Sequence, residues 1–189
     1  MNLKAFAIAA LAASLLTVTT ALPPKPAGWR ISGTSPGAFD YYSDATHSYS
    51  GKPSITLKAT RVLASGYGTV MQSFDAAPFH GKRIRFSGYL KTAAASTPLM
   101  WMRVDSADNV LGFDNQTGHP PLSDQDWTPF SIVLDVSKEA VAINLGLGLR
   151  GGQAWADQLS LTAVGPEVAV TDLSFVPKND RPVDIVLRP

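Results

Sequence analysis

LMWMRVDSADNVLGFDN, residues Leu99 to Asn115, reads as two β-strands joined by a polar turn. Side chains alternate across a strand with a period of two. Met100, Met102 and Val104 therefore share one face of the first arm, and Leu99, Trp101 and Arg103 share the other. The first face is an ordinary core stripe. The second carries a Trp and an Arg in succession, an unusual pair for a covered face. Ser106 to Asn109 have the composition of a four-residue turn. With that turn, Val104 stands opposite Leu111, Arg103 opposite Gly112 and Trp101 opposite Asp114. Trp101, Arg103 and Asp114 then line one face, with Asn115 and Gln72 as further members. A slip of one residue in register would scatter the set. Gln72 joins it only if its neighbour Met71 is buried; with Val70 and Phe74 inside, Gln72 is buried instead.

Six further alternating or apolar runs surround this hairpin. With its two arms, the expected strands are Ser54–Thr60, Gly68–Phe74, Ile84–Thr92, Leu99–Val104, Val110–Asp114, Phe130–Val136, Ile143–Leu149 and Ala154–Leu161. Gly, Pro, Ser and Asp punctuate the chain about every ten residues, and no window carries a 3.6-residue apolar period. The pattern predicts an all-β protein, a jelly-roll β-sandwich of about eight antiparallel strands. In Ile143–Leu149 the alternation is cleanest: Ile143, Leu145, Leu147 and Leu149 point one way, Asn144, Gly146 and Gly148 the other. A sheet face kept bare by glycines is where a ligand or another backbone approaches closely; a covering neighbour loop is the equal alternative.

The 189 residues suffice for one full-sized domain. The sequence divides into a signal peptide (1–21), a Pro-rich linker (22–28), the sandwich (29–165) and a C-terminal extension (166–189). Lys4 followed by the apolar run Ala5–Leu16 has the form of an export leader too short to span a bilayer, with cleavage expected after Ala21. The mature chain is expected to be soluble, with no membrane span, and periplasmic or secreted. Lys4 is the only charged residue in the leader, so 15 basic and 15 acidic residues remain beyond it. That balance argues against a nucleic-acid partner, which requires a basic surplus on one face. There is no Cys, which excludes thiol nucleophiles and Cys-based metal centres. The extension could add an edge strand, lie along the surface, or pair with a partner's sheet.

Taken in order, GWRISG (28–33), YSGKPSITL (49–57), GYGTVMQSF (66–74), FHGKRIRFSGYLKT (79–92), LMWMRVD (99–105), FDN (113–115), DWTPFSIVLDV (126–136) and GGQAWADQLSL (151–161) resemble a known family. The series is similar to the carbohydrate-binding-module-like jelly rolls of the galactose-binding-like fold, in particular an accessory domain of bacterial proteins. The resemblance spans Trp29 to Val164. It implies a structural calcium near the last strand, where Asp157 is the candidate ligand. Relatives often carry two acidic residues there; this chain has Asp157-Gln158. No other cofactor is implied.

Glycans rest flat apolar sugar faces on aromatic rings, and planar charged groups read their hydroxyls. Trp101, Arg103 and Asp114 offer those groups, so a glycan or cell-envelope polysaccharide is the expected ligand. Catalysis is not expected. Glycosidases position two carboxylates, but the two Glu, Glu139 and Glu167, fall in a turn and in the extension. His47, His80 and His119 are scattered over three loops, and no GxSxG elbow exists. The alternative is a structural or protein-interaction sandwich without a sugar ligand. A binding module requires Trp101 exposed beside Arg103 in a groove. A scaffold requires Trp101 buried, or the groove filled by the loop from Gln116 to Gln125 or by the extension.

Overall fold

The computed structural model of the chain describes residues 23–62, 65–116, 118 and 120–172. The expected signal peptide, His119 and the extension beyond residue 172 lie outside them. Ten strands form two five-stranded antiparallel sheets: β1 (Arg30–Gly33), β2 (Phe39–Asp44), β3 (Ser54–Ala59), β4 (Gly68–Asp75), β5 (Arg83–Ser96), β6 (Leu99–Asp105), β7 (Val110–Asp114), β8 (Gln125–Asp135), β9 (Ala142–Leu149) and β10 (Gly151–Val164). The first sheet runs β1-β4-β9-β6-β7 and the second β2-β3-β10-β5-β8. This is a jelly-roll sandwich. All eight expected strands are present. The two additions, β1 and β2, are the edge strands that begin the two sheets.

Alternation places the core. Along β5 buried and half-buried residues alternate from Arg83 to Thr92, and along β6 from Leu99 to Asp105. Met100, Met102, Val104, Ile143, Leu147 and Val70 from the first sheet meet Phe86, Leu90, Ile132, Leu134 and Leu57 from the second. Burying a side chain of this size contributes about 1.5–3 kcal/mol, so the interleaved faces supply most of the stability of a chain without disulfides. Each face has one side in this core and one outside. For the first sheet, the outer side is the surface that Trp101 occupies.

Edges are closed by the flanking segments. Pro24 accepts from Ser43 N–H of β2 at 2.7 Å, and Lys25 lies over the Tyr41 ring. At the other end, Thr171 N–H donates to Val133 O and Thr171 Oγ1 accepts from Val133 N–H, so residues 166–172 run along the β8 edge. Asp172 then accepts from Phe113 N–H of β7. Arg83 pairs with Asp135 and donates to the carbonyls of Pro166 and Val168. Covering an edge in this way blunts its capacity to pair with another chain.

The loop between β2 and β3 is tied down by two carboxylates. A bulge between Asp157 and Ser160 of β10, with Gln158 at φ +50°, turns Asp157 towards it. Asp157 accepts from Tyr49 N–H at 2.7 Å, Ser50 N–H at 3.1 Å, Ser50 Oγ at 2.8 Å and Gln158 N–H at 2.6 Å. Asp44 accepts from Thr46, His47 and, at 2.9 Å, the Trp155 indole N–H. Burial would raise both acids, but these donors outweigh it and hold both below the ordinary carboxylate range.

At the calcium candidate Asp157, the carboxylate is engaged by N–H and O–H donors of this loop, and among the described residues no three acidic, His or Cys side chains gather.

Depressed carboxylates stabilise the fold fully above the unfolded-state value of about 3.9, and the gain is lost as pH falls towards their folded values. The urea midpoint of the protein should therefore drop between pH 7 and pH 3. The Asp44→Asn, Asp157→Asn double variant should start lower and lose less over that interval. Equal losses in both proteins would contradict the assignment.

Candidate functional site

The outer face of the first sheet is organised as rows that run across the strands. One row is Arg30 of β1, Met71 of β4, Gly146 of β9 and Trp101 of β6. The next is Ser32, Thr69, Gly148 and Leu99; on the other side lie Ser73, Asn144, Arg103 and Phe113. The bare face expected of Ile143–Leu149 is thus the floor of this surface. Strand spacing of about 4.8 Å makes β1 and β6 roughly 14 Å apart. Above the floor lies a groove of about 530 Å³, within the range of ligand sites.

Trp101 lies across the floor. Its Nε1–H donates to Thr69 Oγ1 of β4 at 2.8 Å, although β9 runs between the two strands. The reach is possible because Gly146 has no side chain: a Cβ there would meet Trp101 Nε1 at 3.0 Å and Val70 O at 2.5 Å. Thr69 Oγ1 in turn donates to Leu147 O at 2.9 Å, which fixes the acceptor. The indole is half-buried over Gly146, lines the groove and has its one donor committed to the sheet. Two exposed aromatics stand at the margins, Tyr67 and Phe113. Tyr67 is positioned by Thr34 Oγ1 on its N–H and Ser35 N–H on its carbonyl.

Arg103 is also held from the floor. Its Nη2 donates to Asp105 Oδ2 at 2.9 Å and its Nε to the same oxygen at 3.0 Å. Nε also lies 2.9 Å from Oδ1, an ion-pair distance without hydrogen-bond alignment. Asn144 Nδ2 donates to Asp105 at 2.7 Å, and Ser73 Oγ donates to Asn144 Oδ1 at 2.6 Å. Polar side chains on three adjacent strands therefore orient one guanidinium, which remains 43% exposed.

The expected site residues divide. Trp101, Arg103 and Asn115 line the groove. Asp114 does not. The 106–109 turn forms and Asp105 stands opposite Val110, but a bulge at Leu111 moves every later pair by one. Arg103 faces Phe113, and Asp114 faces Met102 on the inner side of the sheet, where it is buried and caps Gln116 N–H at 2.7 Å. Gln72 is the second correction. It lies opposite Leu145, in phase with Val70 and Phe74, and opens on the far end of the sandwich beside Trp29 and Leu159. Among the described residues, none of 116–125 or 166–172 lines the groove. The loop is instead drawn to the end of β5, where Leu122 O accepts from Thr92 Oγ1 and Ser123 O from Ala95 N–H.

Sequence reasoning missed Arg30, Arg150, Tyr67 and Phe113. Phe113 was hidden by the bulge, and Tyr67 by its place between two turn glycines. Among the described residues, the groove is lined by no Asp, Glu or His. His47 is held by Asp44 and stacks on Trp155, and His80 bonds Ala140 O, both away from it.

No protein-family model matches the chain. Over 166 residues it is 38% identical to the uncharacterized HTH-type transcriptional regulator YbfP of Bacillus subtilis (strain 168). The match covers 85% of this chain and 56% of the regulator, so the chain spans little more than half the length of that relative. The described residues contain no α-helix, and hence no helix-turn-helix. Among solved structures, the CBM22-1 xylan-binding domain of Xyn10C from Paenibacillus barcinonensis aligns with a TM-score of 0.52 and 19% identity, over 75% of this chain and 88% of that one. The Stig cyclase Fisc from Fischerella sp. TAU gives 0.52 and 14%, over 76% and 88%. These likenesses show the fold, a carbohydrate-binding-module-like jelly roll. A binding domain and a cyclase both use it, so function has to be read from the site.

The support beneath Trp101 is testable by itself. Gly146→Ala should cost about 1–3 kcal/mol of stability, since the floor has no room for the methyl group. Thr69→Val should move the Trp101 indole N–H resonance and leave the other three indoles in place. Urea unfolding and an indole-region NMR spectrum check both, and an unaltered Gly146→Ala protein would contradict the packing.

Proposed function

We propose that the chain is an exported, non-catalytic binding module that takes a glycan into the groove of the first sheet. The observation that carries this reading is the indole of Trp101 anchored over Gly146 in the groove, beside an oriented Arg103. A rigid aromatic platform stacks the apolar face of a pyranose, and a fixed guanidinium reads its oxygens. Tyr67 and Phe113 extend the aromatic surface to either side.

Among the described residues the groove lining holds no Asp, Glu or His, which supports binding rather than hydrolysis by a pair of carboxylates. Export rests on the leader: Lys4 with the apolar run Ala5–Leu16, cleaved after Ala21. Among the described residues no helix is long and apolar enough to cross a membrane. The xylan-binding domain that shares the fold is in keeping with a sugar ligand. YbfP is longer than the matched region, and a ligand-sensing unit joined to other sequence is consistent with that relation.

Glycan-array binding of the chain from Leu22 onward, with Trp101→Ala beside it, tests the proposal. A stacked ring is worth about 1–3 kcal/mol, so the variant should bind roughly 5- to 150-fold more weakly. A folded wild-type protein that binds no glycan, or a variant that binds as well, would favour the interaction-scaffold reading instead.

A further inference from the structure

Three arginines line the groove: Arg30 at the β1 edge, Arg103 on β6 and Arg150 just after β9. Among the described residues no carboxylate lines it. Arg103 has Asp105 as a counter-ion, whereas among the described residues Arg30 and Arg150 have no ion pair. The chain as a whole is close to neutral, with 16 basic and 15 acidic residues, so this is a local surplus rather than a general one. Two uncompensated guanidiniums, with a third already oriented, make a positive field over an aromatic floor.

We propose that the groove selects anionic sugars, residues whose carboxylate or sulfate is taken by Arg30 and Arg150 while the ring stacks on Trp101. This rests on the glycan reading above and narrows it. Guanidinium forks match a carboxylate or sulfate in two parallel hydrogen bonds, which a hydroxyl cannot return. Arg30 shares the cross-strand row of Trp101, and Arg150 lies beyond Gly148 and Leu149 on the strand that forms the floor. An acidic residue stacked at the centre thus has a cation towards β1 and another towards the end of β9. A nucleic acid could also stack and pair with Arg. However, the balanced charge leaves no basic track for a phosphate backbone.

The test measures binding of the purified chain to polygalacturonate, to the same polymer fully methyl-esterified, to chondroitin sulfate and to oligothymidylate. Polygalacturonate should bind about 10- to 100-fold more tightly than its neutral ester, as expected for charge-assisted hydrogen bonds. The Arg30→Gln, Arg150→Gln double variant should lose that preference and keep any binding to the ester. Both residues lie outside the hydrogen bonds that hold the floor, so the variant should unfold like the wild type. Raising salt from about 50 to about 500 mM should weaken the acidic polymer and spare the neutral one. Equivalent binding to chondroitin sulfate supports the proposal with sulfate as the anion.

Equal binding to polymer and ester, still abolished by Trp101→Ala, would overturn anion selection and leave the glycan site standing. Oligothymidylate binding without any glycan binding would overturn both.

Discussion

The indole of Trp101 reaches Thr69 across an intervening strand because Gly146 leaves that strand bare. Remove the space and the ring has to shift from the floor; remove Thr69 and its N–H loses the partner that anchors it. The rest of the surface depends on this. Arg103 stands one row away on the same strand, aimed by Asp105 and Asn144, and its distance from the ring is fixed by the pleat. A side chain with few rotamers, locked by packing and one hydrogen bond, has little entropy left to lose when a ligand arrives.

The sandwich provides this rigidity from below. Each residue of the floor alternates with one in the core: Gly146 with Leu145 and Leu147, Trp101 with Met100 and Met102. Moving the platform means moving residues packed against the second sheet. The loop between β2 and β3 and the segment from Pro166 to Asp172 are pinned to the second sheet, and the segment's end also reaches β7. They close edges and leave the outer face of the first sheet open.

The fold was legible because most strands are half-buried, and a half-buried strand writes an alternating pattern into the sequence. Met100, Met102 and Val104 carry such a pattern, as do the leucines of β9. The edge strands β1 and β2 escaped for the same reason: RISG and FDYYSD bury too little on either side to alternate. Trp101 and Arg103 were found from their parity alone. Asp114 was misplaced by a single bulge at Leu111, which no composition rule marks. That residue lets two successive side chains face inward and passes the outward position to Phe113. Arg30 and Arg150 come from sequence positions far from the hairpin. Only the sheet order, β1-β4-β9-β6, brings them around Trp101.

The most direct measurement is an NMR titration of the protein with the glycan it binds, following the four indole N–H resonances and the backbone amides. A site on the first sheet requires the Trp101 indole, Thr69 and the amides around Arg103 and Gly146 to shift together, while Trp127 and Trp155 on the second sheet stay in place. Shifts centred on Trp127, Tyr49 and Tyr89 instead would put the ligand on the opposite sheet and contradict the assignment of the groove.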